Sequence, residues 1–293
     1  MRESIKDKVS IIGTGCTRFA ERWDADVEDL IKEAVDEALE DAGVELKDIQ
    51  AGWVGTGRGS QQVPMGPPSA IIATSSLQTQ YIPFTRVENL CCAGQEAVRA
   101  AAFGVASKSY DLVLAIGVEK LKDTGYGGLG EMFPGPWQPI YGAFGTPPGR
   151  YAMAATAYFN KYGLDPQEGK RLLAEISVKS HYYGMRNPKA HLQREITVEE
   201  AINAPMICWP LGLYDCCGVT DGASAAVLVP SSEAKAYRDD YVNIKAFSIC
   251  TGPGWLKEDE RYDFTYWKET YEGAKMAYEE AGITNPRKEL SLV

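Results

Sequence analysis

No apolar run in this sequence approaches the roughly 20 residues needed to cross a bilayer. Positive charge is in short supply: 30 Lys and Arg against 40 Asp and Glu leave a net charge of −10. That balance argues against nucleic acid as a general partner. The seven cysteines are odd in number, form two adjacent pairs (Cys91-Cys92 and Cys216-Cys217) and include no Cys-x-x-Cys. Such spacing is neither a disulfide framework nor a zinc site, so no metal is expected and a reducing, cytoplasmic setting is the better reading. Residues 1–7 are polar and lead straight into an apolar segment, unlike a secretory signal. Histidine is scarce, with His181 and His191 the only two.

A hydrophobic fraction of 45% and a charged fraction of 24% place the chain among ordinary soluble globular proteins. Its 293 residues can bury a substantial core as one large or two modest domains. Val9 to Gly15 reads as a short strand ending in a glycine turn. Over Val27 to Ala42, Leu30, Ile31, Ala34, Val35 and Ala38 recur at helical spacing, and Gly43 is placed as a C-cap. Strands are expected at Ile49 to Gly57, Tyr81 to Val87 and Asp111 to Val118, with a helix over 68–79. The Asp111–Val118 run is continuously apolar, as in a sheet covered on both faces. An Ala-rich helix follows Cys91, apolar on more than one face and so expected to be buried on several sides.

The opening pattern recurs late in the chain. Ala246 to Gly252 echoes the first strand, and Lys268 to Ala281 echoes the first helix, with Gly282 standing for Gly43. Leu290 to Val293 is expected to begin the next strand of this second copy. Two such openings suggest a duplicated α/β unit, although βα units also look alike by chance. The first copy continues much further, so on the duplication reading roughly a third of a natural chain is expected to be missing.

Residues 119–203 break the alternation. Their first part is rich in glycine and proline and interleaved with rings, among them Tyr126 and Tyr151. A long loop of that composition is usually functional or an interface. Helices are expected at Met153 to Tyr162 and Pro166 to Tyr183, and strand character returns over Asp215 to Pro230. Within residues 169–194, Lys170, Arg171, Lys179, Arg186, Lys189 and Arg194 face a single acid, Glu175. This basic stretch suits a phosphate-bearing ligand, and a solvated helix face explains it as well.

The chemistry-bearing motif is Val87-Glu88-Asn89-Leu90-Cys91-Cys92-Ala93-Gly94. A thiol at the first turn of a helix faces unpaired N–H groups and the positive end of the helix dipole, which favour thiolate. Small residues at 93 and 94 let the backbone approach a substrate closely. A buried, inert cysteine is the competing reading for Cys91. Cys92, Cys216 and Cys217 read as packing residues.

The motif resembles the nucleophile motif of thiolases, Val-Asn-x-x-Cys-x-Ser/Thr-Gly, with Glu88 in place of the usual Asn and Ala93 in place of Ser or Thr. Gly117-Val118-Glu119-Lys120, Asn187-Pro188, Tyr214-Asp215-Cys216-Cys217 and Thr220-Asp221-Gly222-Ala223 extend the resemblance across the chain. The branch it most resembles is the sterol-carrier-protein (SCP-x) type, which includes thiolases of benzoylsuccinyl-CoA and of sterol side chains. The resemblance implies a five-layered αβαβα fold of two similar halves, the second incomplete in this chain. The implied domains are an N-terminal half at 1–118 and 204–240, an inserted loop domain at 119–203, and the start of a C-terminal half at 241–293.

The resemblance also implies a degradative acyl-CoA acyltransferase with Cys91 as nucleophile and its backbone N–H in an oxyanion hole. Coenzyme A is then a substrate, and no tightly bound cofactor is expected. Tyr126 and Tyr151 are candidates for the acyl pocket, which several rings would fit to a bulky or aromatic acyl group. Lys179 and Arg186 are candidates for the CoA phosphates. The family's His-Asp/Glu-x-Phe and Gly-His-Pro motifs are not found within 1–293, and His181 and His191 match neither. A homodimer or higher assembly is implied, with strand 81–87 as a candidate interface. So is a small zinc-ribbon/OB-fold subunit that binds acyl-CoA. Two alternatives stand beside the thiolase: a thiolase-fold aldolase that cleaves a CoA thioester without an acyl-enzyme, and a non-catalytic subunit that binds CoA esters.

Overall fold

The computed structural model describes residues 4–57, 70–79, 81–124, 147–252 and 264–292. They form two compact units: Met1–Thr124 with Thr220–Cys250 and Tyr271–Val293, and Gly125–Val219 with Thr251–Thr270.

The first unit is built on a mixed six-stranded sheet in the order β3-β2-β4-β7-β1-β8. Its strands are β1 (Val9–Cys16), β2 (Ala51–Gly55), β3 (Phe84–Val87), β4 (Val113–Glu119), β7 (Gly222–Pro230) and β8 (Val242–Asn243). β2 pairs in parallel with β3 and β4, whereas β7 runs antiparallel to both β4 and β1. Three parallel strands therefore end together at Gly55, Val87 and Glu119.

Alternation along β4 divides the core. Leu114, Ile116 and Val118 face a cluster shared with α1 (Val27–Ala42) and α2 (Ile71–Leu77). Val113 and Ala115 face a second cluster with Ala97, Ala101, Ala102 and Val105 of α3 (Ala93–Ala106). Helices thus cover both faces of the sheet, which is why β4 reads as a continuous apolar run. α3 buries its alanine side but leaves Phe103 exposed, so it is covered on fewer sides than its composition implies.

Local signals set α1. Asp26 and Asp29 form a capping box at its start, and Gly43 ends it at φ 68°. The helix α8 (Lys268–Ala281) ends in the same way. Gly43 N–H donates to Glu40 O and Val44 N–H to Leu39 O; Gly282, at φ 78°, donates to Glu279 O and Ile283 N–H to Tyr278 O.

The echo stops there. Residues 246–252 form no strand, and neither do 290–292. A strand exists only where a neighbour takes its N–H and C=O groups, and among the described residues no second large sheet offers one. For the same reason α8 has no buried residue, whereas α1 buries eight.

The second unit contains α4 (Pro147–Tyr162), α5 (Pro166–Gly184), α6 (Val198–Ile202), the hairpin of β5 (Met206–Cys208) and β6 (Leu211–Gly212), and a 3-10 turn over Leu213–Asp215. Its small core joins Ala174, Ile196 and Ala201 with Val178, Val198, Ile202 and Tyr214. α5 carries polar groups inward. Lys170 is buried in an ion pair with Asp215, whose carboxylate also accepts from Ser177 Oγ at 2.8 Å and Gly212 N–H at 2.7 Å. The helices α7 (Ala234–Tyr237) and α9 (Pro286–Glu289) are single turns. No described helix is long and apolar enough to cross a membrane.

Candidate functional site

Cys91 lies in the turn from β3 to α3, at the carboxyl ends of the three parallel strands, and its side chain is exposed. Crevices at the carboxyl ends of parallel strands are the usual ligand sites of such sheets. Glycines bring the helix there. A Cβ on Gly55 would lie 2.1 Å from the Ala93 carbonyl oxygen, and one on Gly117 would lie 3.1 Å from Gly94 Cα. With no side chain between them, the first turn of α3 rests directly on the ends of β2 and β4.

The turn itself is tightly wound. Leu90 adopts φ 47°, which a residue with a Cβ rarely occupies. Cys92 N–H donates to Asn89 O at 3.0 Å and Ala93 N–H to Leu90 O at 3.1 Å, so Cys91 sits in two overlapping turns that lead into the helix. Glu88 accepts the Leu90 N–H at 2.6 Å. Beneath the turn, Glu119 accepts from Gly57 N–H at 2.8 Å and Thr56 Oγ1 at 3.1 Å, linking the ends of β4 and β2. Arg86 donates from Nη2 to Thr56 O at 3.0 Å. Sequence reasoning placed Glu119 in a family motif without a role and did not single out Thr56 or Gly57. The signal that marks them is position, each falling at the end of a parallel strand.

Beside this edge, Asp221 of the Thr220-Asp221-Gly222-Ala223 motif proves to be an anchor. Asp221 is fully buried and accepts from Lys120 Nζ at 2.9 Å and from the N–H groups of Leu121, Lys122 and Arg22. Burial alone would push its carboxyl up; the bonds from Lys122, Lys120, Leu121 and Arg22 outweigh burial and hold it below the usual range. Lys120, itself buried, also meets Asp123 at 2.6 Å. Burial disfavours its charge, but the two carboxylates prevail and raise it above the usual lysine value.

The other predicted residues fall elsewhere. Tyr126 lies outside the described residues. Tyr151, Lys179 and Arg186 belong to the second unit. Tyr151 is exposed beside Trp267, with ring centroids 6.1 Å apart. Lys179 points outward from α5 and makes no ion pair among the described residues. Arg186 stacks 3.4 Å over the Tyr182 ring and pairs with Glu195 at 3.0 Å.

The basic stretch as a whole is less available than its composition implies. Lys170 is turned inward on Asp215, which fits neither the phosphate contact nor the solvated face that the stretch left open, and Arg194 pairs with Glu200 at 2.7 Å. His181 is buried, its Nδ1 2.8 Å from the Arg194 carbonyl oxygen. Burial first, then Asp215, pushes the Cys216 thiol up, which suits a packing residue rather than a nucleophile.

The fold is that of a thiolase, and the chain belongs to the thiolase family. The Thiolase, N-terminal domain family matches residues 9–136. The chain is 35% identical over 285 residues to an acetyl-CoA acetyltransferase of Methanothermobacter thermautotrophicus, covering 94% of this chain and 70% of that one. It is 29% identical to the benzoylsuccinyl-CoA thiolase subunit BbsB of Thauera aromatica, covering 95% of this chain and 69% of that one. Among solved structures, the Ltp2-ChsH2(DUF35) aldolase superposes with a TM-score of 0.78 at 25% identity, covering 96% of this chain and 71% of that one.

Proposed function

We propose that the protein is a degradative acyl-CoA acyltransferase that cleaves a 3-ketoacyl-CoA through a cysteine acyl-enzyme. The observation that carries this reading is the exposed Cys91 thiol at the head of α3, in a wound turn on the glycine-packed ends of β2 and β4. The Cys91 thiolate attacks the 3-keto carbon and forms a C–S bond. The Cα–Cβ bond then breaks, leaving the acyl group on Cys91 and its electron pair on the enolate of the CoA thioester that keeps Cα, which takes up a proton. A second CoA gives up its thiol proton and takes the acyl group from Cys91, which releases the shortened acyl-CoA and restores the thiolate. The backbone N–H of Cys91 itself is one donor for the oxyanion that forms at the attacked carbon.

In this reading Tyr126 and Tyr151 wall the acyl pocket, and Lys179 and Arg186 meet CoA phosphates. The exposure of Tyr151 and Lys179 supports it. The word "subunit" in the name of the Thauera relative, and the two-component name of the aldolase structure, support a small partner subunit. A homodimer or larger assembly in the cytoplasm completes the proposal.

The similarity to an aldolase structure favours a second reading, retro-aldol cleavage of a CoA thioester with no covalent acyl-enzyme. Intact mass measured before and after incubation with a series of 3-ketoacyl-CoAs separates the two. An acyl adduct mapped to Cys91 is the expected result. No adduct across the series, with cleavage of a 3-hydroxyacyl-CoA instead, would move the assignment to the aldolase.

A further inference from the structure

Glu88 stands three residues before Cys91, and its carboxylate folds back along the chain to accept the Leu90 N–H at 2.6 Å. That bond closes on the residue of the turn with a left-handed backbone, Leu90 at φ 47°. A residue with a Cβ stays there only where its surroundings impose it. Packing of the leucine side chain is not the cause, because it is 40% exposed. The constraint comes from two sides of the backbone: Glu88 holds the N–H, and Gly57 lies so close to the carbonyl that an added Cβ would be 3.0 Å from Leu90 O. The same carbonyl accepts the Ala93 N–H at 3.1 Å, so the orientation of the Leu90 peptide sets where Cys91 enters the helix.

We infer that Glu88 is a positioning residue for Cys91, holding Leu90 in its left-handed conformation and thereby aiming the thiol. Glu88 acts through the turn and makes or breaks no bond of the reaction. The inference rests on the acyl-enzyme reading of Cys91. Any acceptor oxygen of similar reach would serve, so the amide of glutamine should replace the carboxylate.

The test is the rate of acyl-adduct formation at Cys91, followed by intact mass for wild type, Glu88→Ala and Glu88→Gln over a range of 3-ketoacyl-CoA concentrations. Small misplacements of a reacting group cost up to about a hundredfold in rate, so Glu88→Ala should acylate on the order of tenfold more slowly or worse. The concentration for half-maximal rate and the melting temperature should stay at wild-type values, because Glu88 is exposed. Glu88→Gln should recover most of the rate. Wild-type acylation by Glu88→Ala, or a Glu88→Gln variant as slow as Glu88→Ala, overturns the inference and leaves the acyl-enzyme intact. No adduct on wild type overturns the acyl-enzyme reading itself. Amide exchange at Leu90 then still reads the tie: it should quicken in Glu88→Ala, and unchanged exchange overturns the tie too.

Discussion

Gly55 in β2 and Ala93 in the first turn of α3 meet backbone to backbone, with room for no side chain between them. The contact sets the height of α3 above the sheet. Gly55→Ala must therefore lift the start of α3 or bend β2. Overpacking of this kind costs about 1–3 kcal/mol, and a urea unfolding curve should show it. Cys91 acylation should slow in the surviving folded fraction. A variant of wild-type stability and rate would mean that the helix start is free to move.

Cys91→Ser replaces one exposed small group with another, so stability should change by no more than about 0.5 kcal/mol. Turnover and adduct formation should both vanish. The neighbouring Cys92→Ser is the control, expected to keep the adduct, since Cys92 caps the helix without a side-chain bond. Retention of more than a few per cent of turnover by Cys91→Ser would exclude the covalent route.

Asp221→Ala leaves Lys120 and three backbone N–H groups without their buried acceptor. Breaking a buried pair on one side costs about 3–5 kcal/mol, readable as a lower urea midpoint. The pH dependence has a definite sign. The carboxyl titrates below its usual 3.8 in the folded protein, so its contribution is complete above that value and fades as pH falls through the folded value. Lys120 is shifted the other way, so its contribution persists up to its usual 10.5 and fades only as pH rises beyond. The gap between wild type and Asp221→Ala should accordingly be widest near neutrality and narrow in strong acid.

Two lysines on one helix should part company. Lys170→Ala strands the Asp215 carboxylate, so it should lower stability while leaving CoA affinity in the folded protein unchanged. Lys179→Ala changes an exposed side chain and should leave the melting temperature alone while weakening CoA binding in a titration. Equal CoA affinity for Lys179→Ala and wild type would remove Lys179 from the proposed phosphate contacts.

Local physics made some of this structure readable in advance. The C-terminal end of α1 follows from Gly43, because a cap is satisfied within a few residues of itself. The two-sided burial of β4 follows from its unbroken apolar run. The Cys91 turn was legible as a motif because thiol, helix start and small residues are adjacent in the chain.

What stayed hidden depended on partners far away in sequence. Residues 246–252 carry the pattern of β1, yet pattern cannot supply the neighbouring strand that makes a strand. Lys170 looked like one more cation of a basic stretch because Asp215, its partner, lies 45 residues on. The sequence by itself determined where the Cys91 motif sits, that a helix follows it and that the central strand β4 is apolar on both faces. Only the tertiary structure decided that Gly55 and Gly117 seat that helix, that Glu88 and Gly57 grip Leu90, and that Lys120 and Asp221 anchor the strand ends beside it. Close approach and ion pairing are properties of distance in space, and folding alone sets that distance.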